Sequence, residues 1–423
     1  MQLFLKGPRG TQDVLPKDSF KWQFIEQTLI NVAKKYGFKE VRVPTFEHTD
    51  LFCRSVGDAS DIVEKEMYTF EDKSARLITL RPEGTAGVIR ATLENGLLNQ
   101  GLPLKLAYIL SCFRYEKPET GRLREFHQFG VELLGSKLPQ ADFEVIEMAV
   151  NMLKNLGIDD FSLEINSIGC KACREKYQQA LINYMMLKKE SLCDTCKERL
   201  EKNPLRILDC KDSTCKNIVK NAPVILDFLC DECRTHFETL QKYLQQANVE
   251  YKINHKIVRG LDYYTKTVFE LIVNIKGTAL TVCGGGRYDD LVSDLGGPET
   301  PAFGFGMGLE RLVMLIDECG KNNIEDKKCD IYVITLDDEA KLYVTSILNR
   351  LRKNGYIVET DLMNKSLKAQ MKYANKIGAK FTLVIGNNEI STGKANLKNM
   401  QTSEVKEINL KDIELLNIEN MHI

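Results

Sequence analysis

Eight of the 13 cysteines in this 423-residue chain lie between residues 170 and 233. They form four close pairs: Cys170 with Cys173, Cys193 with Cys196, Cys210 with Cys215, and Cys230 with Cys233. In a reducing compartment, cysteine pairs at these spacings favour tetrahedral thiolate ligation over disulfides. The pattern therefore predicts one or two structural Zn²⁺ sites, which would stabilise a segment too small to rely on its own core.

Spacing alone does not decide which pairs share a site. One arrangement joins Cys193 and Cys196 to Cys230 and Cys233, and joins Cys170 and Cys173 to Cys210 and Cys215. The alternative to zinc is a set of eight reduced cysteines, some of them buried as small apolar residues. No histidine lies within the pairs, which disfavours a catalytic zinc ion.

A second set of chemically capable residues lies on a predicted strand, residues 124–134. Side chains alternate between the two faces of a strand. One face would carry Arg124, Phe126, Gln128, Gly130 and Glu132, and the other would carry His127, Phe129, Val131 and Leu133. An arginine, an amide and a carboxylate in one row predict the polar floor of a pocket, although a sheet with one solvated face explains the same pattern. On the apolar face, His127 is expected to pack rather than to react.

Arginines surround a predicted hairpin loop. Arg114 ends the strand 105–114, and Arg122 lies on the far side of the loop that leads to the strand 124–134. A guanidinium group holds two phosphate oxygens in a fixed fork, so this placement suits a triphosphate, although surface charge would look the same. Arg311 is predicted in the first turn of a helix that follows a glycine-rich strand. The glycine run 284–286 is expected to lead from a strand ending at Cys283 into a helix.

Composition restricts the classes of protein to which the chain can belong. Its 58 basic and 59 acidic residues give a net charge of −1, so any binding of nucleic acid needs a local patch. No apolar run of about 18 residues is present, as a membrane span requires, and the N-terminus lacks the pattern of a signal peptide. These properties predict a cytoplasmic globular protein of two or three domains.

The C-terminal part of the chain alternates strand-like and helix-like segments, which is typical of a small α/β domain with mostly parallel strands. Its lysines recur at spacings of three or four residues, so that on a helix they would form one basic stripe: Lys365, Lys368, Lys372, Lys376 and Lys380. The stripe could contact the phosphates of a nucleic acid, but taken alone it is better explained as a solvated helix face.

Several motifs together resemble the histidyl-tRNA synthetases, a branch of the class II aminoacyl-tRNA synthetases. The matching segments are GPRGTQDVLP at 7–16, RPEGT at 81–85, FRYE at 113–116 with GRLREF at 121–126, VRGLDYY at 258–264, and GMGLER at 306–311. The segments at 113–126 and 306–311 resemble motifs 2 and 3 of that class, and 258–264 resembles the histidine-specific motif. The similarity extends over essentially the whole chain.

The resemblance implies an α+β fold with an antiparallel sheet and flanking helices, a Cys-rich and mainly helical insertion, and a C-terminal α/β anticodon-binding domain. The corresponding boundaries are 1–169 and 247–325 for the catalytic domain, 170–246 for the insertion and 326–423 for the anticodon-binding domain. The implied reaction is the ATP-dependent attachment of L-histidine to tRNA(His) through histidyl-adenylate, with Mg²⁺ accompanying ATP. The family also implies a homodimer.

The resemblance assigns roles to individual residues. Histidine would be bound by Glu83, Gly84, Thr85, Gln128, Glu132, Tyr263 and Tyr264, with Glu132 and the two tyrosines facing the imidazole. ATP would be bound by Arg114, Glu116, Arg122 and Arg311. Arg259 would lie beside the reacting carboxylate and the α-phosphate, so Arg259 and Arg114 are the expected catalytic residues. The role of Glu119, where many relatives have glutamine, is left open.

Two alternative functions are considered. The first is a non-catalytic paralogue, the regulatory subunit of ATP phosphoribosyltransferase, which tends to lack the insertion, the C-terminal domain and part of the catalytic set. The chain retains both extra domains together with Arg114, Arg259 and Arg311, so this alternative is disfavoured. The second is a zinc-dependent nucleic-acid-binding protein, which would explain the cysteines but not the arginines of the motifs.

Overall fold

The computed structural model describes residues 6–418, apart from 58–61, 203, 209, 211, 258–260, 262, 276, 320–323, 325 and 327. Contacts within the chain separate two compact units, Met1–Ile324 and Glu325–Ile423. Among the described residues, no helix combines the length and the apolar character needed to cross a membrane.

The first unit combines helices with two sheets. Its strands are β1 (Lys39–Glu40), β2 (Phe46–His48), β3 (Tyr68–Glu71), β4 (Leu77–Leu80), β5 (Leu104–Phe113), β6 (Glu125–Leu134), β7 (Ser162–Ser167), β8 (Lys252–Ile253), β9 (Thr265–Ile275), β10 (Thr278–Arg287) and β11 (Ala302–Gly308). Its helices are α1 (Pro16–Lys35), α2 (Thr49–Val56), α3 (Thr85–Glu94), α4 (Pro139–Asn155), α5 (Lys171–Met186), α6 (Asp194–Lys202), α7 (Ser213–Val219), α8 (Asp231–Gln246), α9 (Leu291–Asp294) and α10 (Leu309–Cys319).

The larger sheet has the spatial order β1-β5-β6-β11-β10-β9-β7-β8, and β2-β4-β3 form a smaller sheet. Neighbouring strands from β5 to β7 in this order are antiparallel. The two outermost pairs, β1 with β5 and β7 with β8, are parallel. The antiparallel sheet implied by the resemblance is therefore confirmed, with a short parallel strand added at each edge.

The central strands β5 and β6 separate two apolar clusters, as the alternation of their side chains predicts. Phe129, Val131 and Leu133 of β6 pack with residues of α1, α4 and α10 on one face. Tyr108 of β5 faces the other way and packs with Val88 and other residues of α3. Because the first face is fully covered by helices, polar side chains on the second face are held in fixed positions above α3.

The glycine run 284–286 lies differently from the sequence-based expectation. It does not end a strand but lies inside β10, where Gly284 pairs with Gly306 and Gly286 with Gly304 of β11. Glycine is disfavoured in strands because it adds no packing, so its presence here indicates close approach by another group.

The Cys-rich segment is mainly helical, as expected, and consists of α5 to α8 with short 3₁₀ turns at Lys189–Ser191, Pro204–Ile207 and Ile225–Phe228. Tyr177, Leu181 and Met185 of α5 belong to a core of its own. The last helix, α8, instead contributes Phe237 and Leu240 to the main core of the first unit. The segment is thus anchored to the sheet through α8.

The second unit is a five-stranded sheet with three α-helices and a 3₁₀ helix, Leu410–Leu415, among its described residues. They are β12 (Ile331–Thr335), α11 (Asp338–Lys353), β13 (Val358–Thr360), α12 (Leu367–Lys376), β14 (Phe381–Ile385), α13 (Asn387–Thr392), β15 (Lys394–Asn399) and β16 (Val405–Asn409). The strand order is β13-β12-β14-β15-β16. The three strands predicted from sequence are parallel, but β15 and β16 are antiparallel additions, so the sheet is mixed.

Candidate active site

A buried carboxyl group, that of Glu132, lies at the centre of the polar face of β6. Its side chain is 1% exposed. The Tyr108 hydroxyl donates a hydrogen bond to Oε1 at 2.9 Å, and the Tyr288 hydroxyl donates to Oε2. Burial raises the pKa of Glu132 to about 8, against the opposing effect of hydrogen bonds from Tyr288, Thr85 and Tyr108. A carboxyl group with this pKa carries a proton at neutral pH, so it can donate a hydrogen bond as well as accept one.

Aromatic rings form a wall beside this carboxyl group. The Tyr263 and Tyr264 ring centroids are 4.7 Å apart, and the Tyr288 centroid lies 5.5 Å from that of Tyr263. Burial raises the pKa of Tyr263 and of Tyr288 well above the usual value for a phenol, so both remain neutral hydroxyl groups. Tyr263 and Tyr264, which the resemblance selected, therefore lie together with Tyr288, which it did not.

The segment 83–85 lies at the start of α3 and faces the same pocket. Glu83 accepts hydrogen bonds from the backbone N–H groups of Thr85 (2.6 Å) and Ala86 (2.8 Å), so its carboxylate caps the helix. Burial raises the pKa of Glu83, and these bonds act in the opposite direction. Gly84 lies against the Tyr108 ring, and any Cβ atom there would fall 2.7 Å from the ring carbon Cζ. The ring of Tyr108 thus fills the space that a larger residue would need.

Two glycines of β11 leave room for the polar side chains of β6. Gly304 pairs with Glu132, and Gly306 pairs with Gly130, two residues along β6 from Gln128. A Cβ atom at Gly304 would overlap the Glu132 carboxylate, and one at Gly306 would overlap the Gln128 amide. Glu132 and Gln128 can therefore lie over β11 only because these positions have no side chain.

Three arginines gather at the end of β5 and β6. Arg114 follows β5 and donates from Nε to the carbonyl of Pro82 at 2.8 Å. Arg122 Nε lies 2.9 Å from Glu116 Oε2, and Arg114 Nη1 lies 3.9 Å from Glu116 Oε1. Arg311, at the start of α10, donates from Nε to the carbonyl of Gly121 at 3.1 Å.

The charges of these arginines act on one another. Burial is the main cause of the lowered pKa of Arg311, and the positive charges of Arg122 and Arg114 add to it. The carboxylates of Glu116 and Glu270 partly balance these positive charges. A cluster in which cations repel one another binds a polyanion favourably, because the anion removes the repulsion as it adds attraction.

The hairpin loop is closed by a short bridge. Glu119 and Arg122 exchange backbone hydrogen bonds of 3.0 and 2.9 Å around Gly121, whose φ is +70°. Among the described residues, the Glu119 side chain has no hydrogen-bond or ion-pair partner. Its role in binding therefore stays open.

Two further residues from the sequence analysis, His127 and Arg81, have structural rather than substrate contacts. His127 lies against Trp22, with ring centroids 5.0 Å apart, and its Nδ1 lies 2.9 Å from Glu310 Oε1. Arg81, within the 81–85 motif, donates to the backbone carbonyls of Ser111 (2.6 Å), Val43 (2.7 Å) and Pro44 (2.8 Å). Arg259 lies outside the described residues, so its expected position beside the reacting groups stays a prediction.

Sequence analysis missed three groups that support the pocket. Tyr108 and Tyr288 bind Glu132, and Arg287, next to Tyr288, is fully buried in an ion pair with Asp142. Asp142 Oδ2 also lies 2.7 Å from Nε2 of His236 in α8. Tyr108 alternates in phase with apolar residues, and nothing in its sequence context distinguishes it from them. Only the register Tyr108 opposite Gly130 places its hydroxyl near Glu132.

The eight clustered cysteines form two sets of four sulfur atoms. One set contains Cys170, Cys173, Cys230 and Cys233, and the other contains Cys193, Cys196, Cys210 and Cys215. Within each set, the sulfur atoms all lie within 4.8 Å of one another. The structure therefore groups the pairs differently from the arrangement considered from sequence. Either set could hold a metal ion.

Comparison with known proteins gives consistent matches. The sequence-family profile "Histidyl-tRNA synthetase" matches residues 10–312, and "Anticodon binding domain" matches residues 330–416. The chain is 51% identical over 412 residues to the histidine–tRNA ligase of Caldanaerobacter subterraneus subsp. tengcongensis, covering 97% of this chain and 99% of that protein. It is 52% identical over 408 residues to that of Acetivibrio thermocellus, covering 96% and 98%. The crystal structure of apo S. aureus histidyl-tRNA synthetase matches with a TM-score of 0.83 at 40% identity, over 97% and 99% of the chains.

Proposed function

The chain belongs to the histidyl-tRNA synthetase family, and we propose that the pocket around Glu132 is where it activates L-histidine. Its activity is the ATP-dependent attachment of L-histidine to tRNA(His) through histidyl-adenylate, with release of diphosphate and AMP. The observation that carries the site assignment is a buried, hydrogen-bonded carboxyl group on β6 together with a cluster of three arginines at the end of the β5–β6 hairpin where the loop joins the two strands.

Glu132 and the tyrosine wall select the imidazole. A protonated Glu132 can donate to one ring nitrogen, and tyrosine hydroxyls can serve as partners for the other. A pocket lined by hydrogen-bonding groups rejects analogues that lack the matching groups, because its own buried polar atoms would be left unpaired. Glu83 and Thr85 at the start of α3 bind the α-amino group, and Gln128 helps to hold the amino-acid end of the substrate.

Arg114, Arg122 and Arg311 bind the triphosphate of ATP, with Arg114 at the α-phosphate and Arg311 near the γ-phosphate. Glu116 lines the nucleotide site. The histidine carboxylate must approach an anionic phosphate, and fixed positive charges lower the barrier to this attack. Arg259 would lie beside the reacting groups in the same role. Mg²⁺ enters with ATP as part of the substrate.

The second unit contains the anticodon-binding domain, and its helix α12 carries the middle of the basic stripe. Lys368, Lys372 and Lys376 lie on α12, whereas Lys365 lies 4.7 Å from the centroid of the Tyr373 ring and Lys380 Nζ lies 2.8 Å from Asp330. We propose that the three lysines of α12 contact tRNA phosphates. Their replacement by glutamine should weaken tRNA binding and reduce its dependence on salt.

We also propose that each cysteine set holds one structural Zn²⁺ ion. Zinc–thiolate bonds of about 2.3 Å place the sulfur atoms of a tetrahedral site about 3.8 Å apart. The Cys193–Cys210 sulfur distance is 3.8 Å and the Cys170–Cys173 distance is 3.5 Å. Four thiolates complete the tetrahedron and leave no position for a substrate, so neither ion takes part in catalysis.

We propose further that the protein is a cytoplasmic homodimer, as the family implies. The eight cysteines of the two sets form no disulfide bond with one another, in keeping with a reducing compartment. Light scattering of the purified protein should give twice the chain mass of 48.2 kDa.

Pyrophosphate–ATP exchange with each of the twenty amino acids tests the proposed site function. Exchange with histidine alone is expected. No exchange with any amino acid, in a folded and metal-replete sample, would favour the regulatory paralogue. That alternative is less supported, because the chain is 51% and 52% identical to two histidine–tRNA ligases.

A further inference from the structure

We propose that the two cysteine sets have different tasks, and that only the set Cys170, Cys173, Cys230 and Cys233 controls the affinity for histidine. This set, termed the hinge set, positions Arg174 against the backbone of Tyr264. The other set, Cys193, Cys196, Cys210 and Cys215, is termed the inner set and stabilises the insertion alone. The inference rests on the zinc sites proposed above.

The hinge set joins the two points where the insertion leaves and re-enters the catalytic body. Cys170 immediately precedes α5, three residues after β7 ends, and Cys230 immediately precedes α8. The N-terminal ends of both helices therefore point toward the same four sulfur atoms. Helix N-termini stabilise thiolates, and the backbone N–H of Cys230 also donates to Cys173 Sγ at 3.1 Å.

A direct contact leads from the hinge set to the tyrosine wall. Arg174 follows Cys173 and donates its backbone N–H to the carbonyl of Cys170 at 3.0 Å. Its guanidinium Nη1 donates to the carbonyl of Tyr264 at 3.1 Å. Because the Tyr264 ring packs against Tyr263, this bond fixes the backbone that presents both rings to the pocket.

A second contact supports the same backbone two residues further along. Lys266 donates its backbone N–H to the carbonyl of Gly169 at 2.8 Å, directly before Cys170. Its Nζ lies 2.9 Å from Oε1 of Glu232, which lies between Cys230 and Cys233. Both halves of the hinge set are thus tied to the segment that follows Tyr264.

The inner set lies elsewhere. Cys196, Cys210 and Cys215 belong to the apolar core of the insertion, with Tyr177, Leu181 and Leu200 among their neighbours. Among the described residues of that core, none belongs to the histidine pocket. Losing a metal ion here should loosen the insertion without moving Tyr264.

The chain provides a matched control for Arg174. Arg234 follows Cys233 just as Arg174 follows Cys173, and its backbone N–H donates to the carbonyl of Cys230 at 2.9 Å. Its guanidinium, however, lies 3.4 Å from the carbonyl of Leu226, within the insertion. The two arginines therefore have the same relation to the hinge set but different targets.

The test compares Arg174→Met with Arg234→Met in the full-length protein. Zinc content is measured by elemental mass spectrometry, and the KM values for histidine and ATP are measured by pyrophosphate exchange. We expect both variants to retain two zinc ions. Arg174→Met should raise the KM for histidine about tenfold, the factor expected for one lost hydrogen bond to a charged group, with the KM for ATP and kcat changed less than about twofold. Arg174→Lys should recover part of the affinity, and Arg234→Met should resemble the unmodified protein.

A second comparison removes the metal sites one at a time. Cys170→Ser/Cys173→Ser and Cys193→Ser/Cys196→Ser should each bind one zinc ion instead of two. The first should raise the KM for histidine about tenfold, as Arg174→Met does, and the second by less than about threefold, with faster proteolysis of the insertion.

The outcomes separate the two proposals. Equal KM values for histidine in Arg174→Met and Arg234→Met would overturn the link to the pocket even if two zinc ions are bound. A purified protein without zinc would overturn the metal assignment, whatever the arginine variants show. Failure of histidine-dependent exchange in the unmodified protein would instead contradict the proposed function.

Discussion

The Tyr108 hydroxyl group lies 2.9 Å from Oε1 of Glu132, and both side chains are buried between β5, β6 and α3. The carboxyl group and the phenol come from neighbouring strands, and neither has access to bulk water. The bond therefore fixes the orientation of the carboxyl group before any substrate enters. Preorganisation of this kind reduces the loss of freedom on binding.

Replacement of Tyr108 by phenylalanine should weaken histidine binding. The change removes one hydrogen-bond donor from Glu132, so the carboxyl group becomes less well oriented and its pKa rises further. We expect the KM for histidine to increase about tenfold in pyrophosphate exchange, with the KM for ATP little changed. Tyr332→Phe, a buried tyrosine of the second unit, is the control. An unchanged KM for histidine in Tyr108→Phe would show that Tyr108 does not support histidine binding.

Glu132→Gln should be more stable than the unmodified protein at alkaline pH. Burial raises the pKa of Glu132 to about 8. The stability that follows from this raised pKa is present below the ordinary pKa of a carboxyl group and is lost as pH rises through about 8. The unliganded protein should therefore lose stability relative to Glu132→Gln over this interval, by about 1.4 kcal/mol for each unit by which the pKa is raised. Urea unfolding at pH 5 and pH 9 measures the difference. A constant difference between the two proteins would show that Glu132 is ionised in the free pocket.

Two neighbouring arginines should separate stability from catalysis. Arg81 binds three backbone carbonyls, so Arg81→Gln should lower the free energy of unfolding by about 3 kcal/mol. Arg114 uses Nε for one carbonyl and belongs to the arginine cluster, so Arg114→Gln should reduce exchange by about 100-fold or more while the protein stays stable. Urea unfolding and exchange kinetics of both variants provide the comparison. Equal losses of stability would argue against a direct role for Arg114.

The pair His127 and Glu310 should stabilise the protein in acid more than in base. The hydrogen bond to Glu310 is the main cause of the raised pKa of His127, and burial acts against it. A raised histidine pKa contributes stability that is fully present below the ordinary value and lost as pH rises through the folded value. Glu310→Gln should thus cost about 1 kcal/mol more at pH 5.5 than at pH 9, since His127 is partly exposed. Thermal unfolding at both pH values measures this, and a cost that does not vary with pH would contradict it.

The hydrophobic alternation of residues 124–134 was sufficient to predict β6, the face that carries Glu132 and the face that carries Phe129. The regularity of strand geometry explains this success, because one buried face fixes the orientation of every side chain. The positions of Tyr108 and Tyr288 could not be predicted in the same way. The Tyr108 hydroxyl meets Glu132 through the register of the β5–β6 hairpin. The Tyr288 hydroxyl meets it from the residue that follows β10, a strand distant in sequence. No local pattern records either contact.

The grouping of the cysteines was open for a similar reason. Each pair is local, but the partner of each pair depends on how four helices and their turns pack. Strands β15 and β16 were missed because their segments are short and polar, with Ala395 and Leu397 as the buried residues of β15. Strand β16 lies at the edge of the sheet and its side chains are mostly exposed, so its hydrophobic pattern is weak.

The absence of a side chain at Gly304 and Gly306 limits which substitutions these two positions can accept. A single nucleotide change in a glycine codon can introduce alanine, serine, valine or a larger residue, and every one of these adds a Cβ atom that overlaps Glu132 or Gln128. At Gly37, Gly296 or Gly355, a Cβ atom would meet nothing within 4 Å, and only backbone strain opposes substitution. In a library of random variants selected for growth, positions 304 and 306 should therefore be nearly invariant, while the loop glycines accept some replacements.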